Sequence, residues 1–152
     1  MRLLVFLQGG KVEDQIGYHS GFETLQAEGA LTAYKAIPWR GHVAELGWQG
    51  FCEAALKEAS DFCPDAVYFQ FFHAPDSISL QYLLMGIQKL PSRPIIAISG
   101  GDAFGWHRWM KNVYPSGFLA VAKIADVTFV TAMGECAAFL ERRGSATSSS
   151  SP

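Results

Sequence analysis

Short apolar runs closed by glycine or proline alternate along this chain with longer segments whose apolar residues recur every three or four positions. Leu3 to Leu7 is apolar throughout and stops at Gly9 and Gly10. It is too short for a helix and lacks the alternation of a half-exposed strand, so it predicts a strand covered on both faces. Tyr18, Phe22 and Leu25 at helical spacing, with Gly29 behind them, predict a helix over Tyr18 to Glu28. Ala33 to Pro38 reads as a second strand ended by Pro-Trp-Arg-Gly. The stripe Leu46, Phe51, Ala55, Leu56 and Ala59 predicts a helix between Ala44 and Phe62, ahead of Pro64.

The same alternation continues to the end of the chain. Ala66 to Phe72 is a third strand, bounded by Pro64-Asp65 and by His73-Ala74-Pro75. Asp76 or Ser77 caps a helix that carries Ile78, Leu80, Leu83, Leu84 and Ile87 to Leu90, where Pro91 and Pro94 lead into a fourth strand at Ile95 to Ile98. A helix over Gly117 to Ala125, a strand over Val127 to Thr131 and a helix over Glu135 to Arg143 complete the series. Buried strands alternating with amphipathic helices predict an α/β fold: a doubly wound, Rossmann-like, five-stranded parallel sheet with helices on both faces.

Residues 1–144 make one domain of this kind, and Ser145 to Pro152, with no apolar residue beyond alanine, is expected to stay outside the core as a disordered tail, a linker or a truncation scar. The formal charge of −2 offers no field for phosphate backbones, so no nucleic-acid partner is expected. Cys52, Cys63 and Cys136 form no CxxC and no Cys/His spacing, which predicts reduced, mostly buried thiols and no metal site. The first apolar run ends in Gln-Gly-Gly rather than at a small-residue cleavage site, and no stretch reaches the length of a membrane span. A cytoplasmic protein is expected.

In an open parallel sheet the ligand lies beyond the carboxyl ends of the strands. The residues there are Gln8, Gly9 and Gly10 after the first strand, and Trp39, Arg40, Gly41 and His42 after the second. His73 follows the third strand, Ser99, Gly100, Gly101 and Asp102 the fourth, and Met133, Gly134 and Glu135 the fifth. Glycine at three of the five exits lets backbone N–H groups approach a ligand. The candidate bases are His73 and Asp102; Gly9, Gly10, Arg40, His42, Gly100, Gly101, Gly134 and Glu135 are candidate ligand-binding residues. Each has a plainer explanation beside it. Gly9 and Gly10 suit a tight turn, His42 and His73 suit solvated loops, and Asp102 suits a cap. Glu135 suits a helix start, where the macrodipole favours a carboxylate. The cluster Trp106, His107, Arg108 and Trp109 reads as either a packed surface loop or a flap over a sugar or phosphate.

Several classes are excluded by what is missing. There is no G-x-G-x-x-G after the first strand, no G-x-x-x-x-G-K-[ST] and no G-x-S-x-G, and a receiver domain's acidic and lysine positions are held by Gln8, His73 and Ala132.

Gly100-Gly101-Asp102-Ala-Phe-Gly, the segment from Pro115 through Ala125-Asp126-Val-Thr-Phe-Val-Thr131 to Gly134, and Phe139-Leu-Glu-Arg-Arg-Gly144 carry a resemblance. They are similar to the second half of the N-terminal domain in two-Rossmann-domain glycosyltransferases of the family 4 and CgeB-like groups. The resemblance covers Arg2 to Gly144 in architecture and Ser99 to Gly144 in motif. It implies an acceptor-side domain for transfer of a sugar from a nucleotide-sugar to an acceptor hydroxyl. The glycine loop after the first strand would lie near the donor phosphates, and no metal or other cofactor is needed. The donor and acceptor would meet only with a C-terminal donor domain, which is expected to be missing here, leaving this half inactive alone. The alternative is a stand-alone small-ligand-binding or protein-interaction module without catalysis.

Overall fold

A computed structural model describes residues 1–72, 75–100, 116–130 and 147–148. All five expected strands form, as β1 (Arg2–Leu7), β2 (Ala33–Pro38), β3 (Ala66–Gln70), β4 (Ile95–Gly100) and β5 (Val127–Val130), and every pairing between them is parallel. The strand order is β2-β1-β3-β4-β5, extended at the far edge by the two-residue β6 (Thr147–Ser148) beside Thr128 and Phe129. β6 falls in the serine-rich stretch expected to lie outside the core. A polar composition withholds apolar side chains from a core, yet backbone N–H and C=O groups pair whatever the side chain is.

The helices among the described residues are α1 (Ile16–Ala27), α2 (Trp39–Phe62), α3 (Ile78–Gln88) and α4 (Ser116–Ile124). They cover both faces. Leu4, Phe6, Val67, Phe69, Ile96 and Ile98 point to one side, where Phe51 and Ala55 of α2, Leu80 and Leu83 of α3 and Phe118 of α4 close over them. The alternate residues Leu3, Val5 and Leu7 point to the other side and meet Phe22 of α1 and Leu31. This two-sided burial is why β1 reads as an unbroken apolar run rather than as an alternation. No described helix is long and apolar enough to cross a membrane.

Several boundaries differ from the sequence expectation. α2 begins at Trp39, directly on β2, and is broken by Gly47 at φ 70°, ψ 173°. The Pro-Trp-Arg-Gly run therefore ends the strand by opening a helix, because proline has no N–H to lose there. β3 stops at Gln70, since Phe71 takes φ 43° in the left-handed region and turns the chain out of the sheet. α3 starts as expected at a capping serine, with Ser77 Oγ accepting from Leu80 N at 3.2 Å and from Trp48 Nε1 at 2.7 Å. The expected helix over Glu135 to Arg143 lies outside the described residues.

The two faces are not equally filled. No residue of α1 is buried, and the stripe of Tyr18 and Leu25 borders a cavity of about 520 Å³ with Leu3, Tyr68, Ala97 and Phe129. The two described cysteines also differ. Burial pushes the Cys52 thiol up to about 12, which disfavours its thiolate, whereas Cys63 is exposed at the left-handed end of α2. Of the thiols expected to be mostly buried, Cys52 is buried and Cys63 is not, and Cys136 lies outside the described residues.

Candidate functional site

β1 sends its connection to β2 on one side and has β3 on the other, so the crevice between the carboxyl ends of β1 and β3 is the topological switch point of this sheet. Gln70 occupies it. The residue is the last of β3 and fully buried; Phe69 before it faces α2 and α3, so the pleat turns Gln70 toward the α1 side. Its Oε1 accepts from the backbone N–H of Gln8 at 2.8 Å, and its Nε2 donates to Gln15 Oε1 at 2.9 Å. Three glutamines from three parts of the chain thus converge beyond β1 and β3. The side-chain amide of Gln8 itself, half-buried, makes no hydrogen bond among the described residues. Glutamine amides both donate and accept and carry no charge, a combination that suits hydroxyl groups.

The glycine loop has a different role from the one its composition suggests. Asp14 Oδ2 accepts from Gly10 N at 2.7 Å and from Lys11 N at 3.0 Å, so the amides that were to approach a ligand already hold a carboxylate of the chain. The Lys11 and Gly10 N–H groups lower the pKa of Asp14, keeping it ionised there. Gly9 is buried, and a Cβ on it would meet Lys11 O at 2.8 Å. A Cβ on Gly41 would lie 2.1 Å from Gly10 O, and Gly41 N donates to Gly9 O at 3.2 Å. These glycines let the start of α2 and the β1 loop pack backbone against backbone.

The other predicted positions separate. Arg40 is exposed in the first turn of α2, its guanidinium carbon 5.4 Å from the centre of the Trp39 ring. His42 turns away from the crevice: its Nδ1 lies 3.1 Å from Pro38 O, which can only accept, so this nitrogen carries the proton. The ring lines a small cavity of about 170 Å³ at the β2 edge, beside the Lys35–Glu58 ion pair. Gly100 ends β4, buried, opposite Val130. Next to it Tyr68 donates to Ser99 Oγ at 2.7 Å, and burial pushes the Tyr68 hydroxyl up to about 12. His73, Gly101, Asp102, Gly134 and Glu135 lie outside the described residues, as does the Trp106 to Trp109 cluster. Among the described residues no group of three or more His, Cys, Asp or Glu side chains is placed to hold a metal.

Gln15, Gln70 and Asp14 are the residues that sequence reasoning passed over. Gln70 did carry a signal, as the one polar residue inside Ala66 to Phe72, in a strand otherwise apolar on both faces. Gln15 and Asp14 carried none, because their partners are set by the loop geometry after β1.

The chain matches no known family model, no curated protein and no solved structure.

Proposed function

We propose that this domain binds a small hydroxyl-bearing ligand at the carboxyl edge of its sheet and serves as the acceptor-side half of a glycosyltransferase, with the nucleotide-sugar brought by a second, donor-binding domain. The observation that carries the reading is the glutamine convergence at the switch point. Gln70 is fully buried there, with its Oε1 accepting from the Gln8 N–H and its Nε2 donating to Gln15, so the hydrogen-bonding capacity left at this edge is that of the half-buried Gln8 side chain, at the place where such sheets bind ligands. The motif resemblance from Ser99 to Gly144 supplies the reaction class.

On this reading the chain alone holds half of a cleft. Two reactants reach near-attack distance only when both halves close, an orientation worth roughly 7–11 kcal/mol of barrier. The isolated chain is expected to transfer no sugar, and the same chain joined to a matching donor domain to transfer it. Within that joined enzyme, His73→Ala and Asp102→Ala are each expected to lower the rate by about 10²–10⁴ if they supply the base. Transfer by the 152-residue chain alone overturns the half-enzyme reading, and wild-type rates in both variants remove the two bases.

A second reading is a binding or interaction module without catalysis. It is favoured by the apolar groove beside α1, where Tyr18, Leu25 and Phe129 remain 39%, 41% and 46% exposed. A joined enzyme that folds and binds nucleotide-sugar by calorimetry, yet never transfers it, selects this reading.

A further inference from the structure

Two buried side-chain polar atoms in the described residues lack a hydrogen-bond partner, Thr128 Oγ1 in the middle of β5 and the indole Nε1 of Trp39. The second is at the ligand edge. Trp39 opens α2 and is only 6% exposed; its ring packs edge-on against Phe72, just past β3, at 5.2 Å between centroids. The indole therefore bridges from the end of β2 to the end of β3. A tryptophan N–H can only donate, and a buried donor without an acceptor calls for a specific explanation. The contrast with Trp48 is direct, since its Nε1 donates to Ser77 Oγ at 2.7 Å.

Trp39 belongs to the apolar core cluster that holds Phe51 and Phe72, and Arg40 is the charged group against its ring. Pro38 at the N-cap of α2 provides no side-chain acceptor, and of the first-turn amides Gly41 N is taken up by Gly9 O. Arg40 lies over the ring and is paired with no carboxylate among the described residues. The other N–H cluster of this edge, at Gly10 and Lys11, is already filled by Asp14. Among the described residues, the donors left to a ligand oxyanion here are the Trp39 indole N–H and the Arg40 guanidinium, and not the amides of the glycine loop.

We propose that Trp39 Nε1 and the Arg40 guanidinium form an oxyanion subsite at the start of α2, which takes a phosphate or carboxylate group of the ligand bound at this edge. The proposal rests on the reading that the ligand occupies the carboxyl edge. Arg40 is exposed and its one described partner is the indole ring, so the guanidinium can turn onto the oxyanion and bind two oxygens side by side while the indole donates to one of them.

The test uses the full chain and the indole N–H resonances, with Trp39 assigned by its loss in Trp39→Phe. Titration with inorganic phosphate is expected to move the Trp39 signal saturably while the Trp48 signal stays in place. The same titration with acetate tells a phosphate subsite from a carboxylate one. Trp39→Phe keeps a ring against Phe72 and is expected to weaken binding about tenfold or more, the worth of one charge-assisted hydrogen bond. Arg40→Gln is expected to do at least as much, and because Arg40 is exposed it serves if Trp39→Phe fails to fold. A Trp39 signal unmoved by both anions, or wild-type affinity in Arg40→Gln, overturns the subsite. The transferase reading fails separately. Saturable anion binding with no sugar transfer by the joined enzyme leaves the subsite standing, whereas transfer without any anion effect at Trp39 removes the subsite alone.

Discussion

The two ends of the parallel sheet are built on opposite principles. At the amino end Asp65 and Asp126 lace one strand to the next. Asp65 Oδ2 accepts from Arg2 N at 2.7 Å and Asp65 O accepts from Ile95 N at 2.9 Å, so one aspartate joins β1 to β4, while Arg2 Nε donates to Phe62 O at 2.9 Å and ties β1 to the end of α2. Asp126 does the same on the other flank, accepting from Ile96 N at 2.8 Å and pairing with Arg93 at 2.8 Å. At the carboxyl end, among the described residues, the Gln8 side-chain amide and the Trp39 indole N–H make no hydrogen bond. Among the described residues, one end of these strands thus holds the sheet together and the other keeps two hydrogen-bonding groups to spare for a ligand.

That division can be broken most directly at Asp126. Asp126→Ala leaves the Ile96 N–H and the Arg93 guanidinium without their partner. It is expected to cost about 2 kcal/mol in urea unfolding, with no change in anion binding at α2. A variant that loses binding while keeping its stability would show that the amino end is not merely structural.

The same residue predicts a pH dependence. The Ile96 N–H, and after it the Arg93 charge, holds the Asp126 carboxyl below its ordinary value of 3.8 in the folded chain. A depressed folded pKa gives stability that is present above 3.8 and lost as the pH falls through the folded value. Acid unfolding of the wild type is therefore expected to steepen below that point, and Asp126→Ala to unfold with a shallower acid limb. Parallel acid limbs would assign the loss to other carboxylates.

Smaller effects are expected at the carboxyl end. Gln70→Leu leaves the Gln8 N–H unpaired but buries more apolar surface, for a net loss of about 1 kcal/mol. Hydroxyl-ligand binding is expected to disappear with it, as calorimetry on the joined enzyme would register. Trp39→Phe is expected to change stability by less than about 1 kcal/mol, since the smaller ring loses packing while an unpaired donor worth about 1–3 kcal/mol is removed. A larger loss in thermal unfolding would mean that the N–H has a structural partner after all.

Much of this fold was legible because it depends on neighbours in sequence. The apolar run Leu3 to Leu7 and the proline and glycine stops announce strands buried on two faces, and the helical spacing of Leu80, Leu83, Leu84 and Ile87 announces the face of α3 that packs. Local periodicity determined element type and order, and with them the parallel, doubly wound class, because a short connection through a helix can return only to a parallel strand. The end of the sheet to search for a ligand was also legible, through the rule that binding lies beyond the carboxyl ends of the strands. The residues that meet there were decided by tertiary structure. Gln70 reaches Gln8 and Gln15 across 62 and 55 positions, Trp39 reaches Phe72 only when β1 lies between β2 and β3, and Asp14 fills the glycine loop because the chain turns back on itself there. His42, equally plausible from its place after a strand, was carried away by the helix that begins at Trp39. Hydrophobic spacing repeats along a chain and can be read from it, whereas a hydrogen bond between distant side chains depends on the relative position of two packed elements, which no local pattern contains.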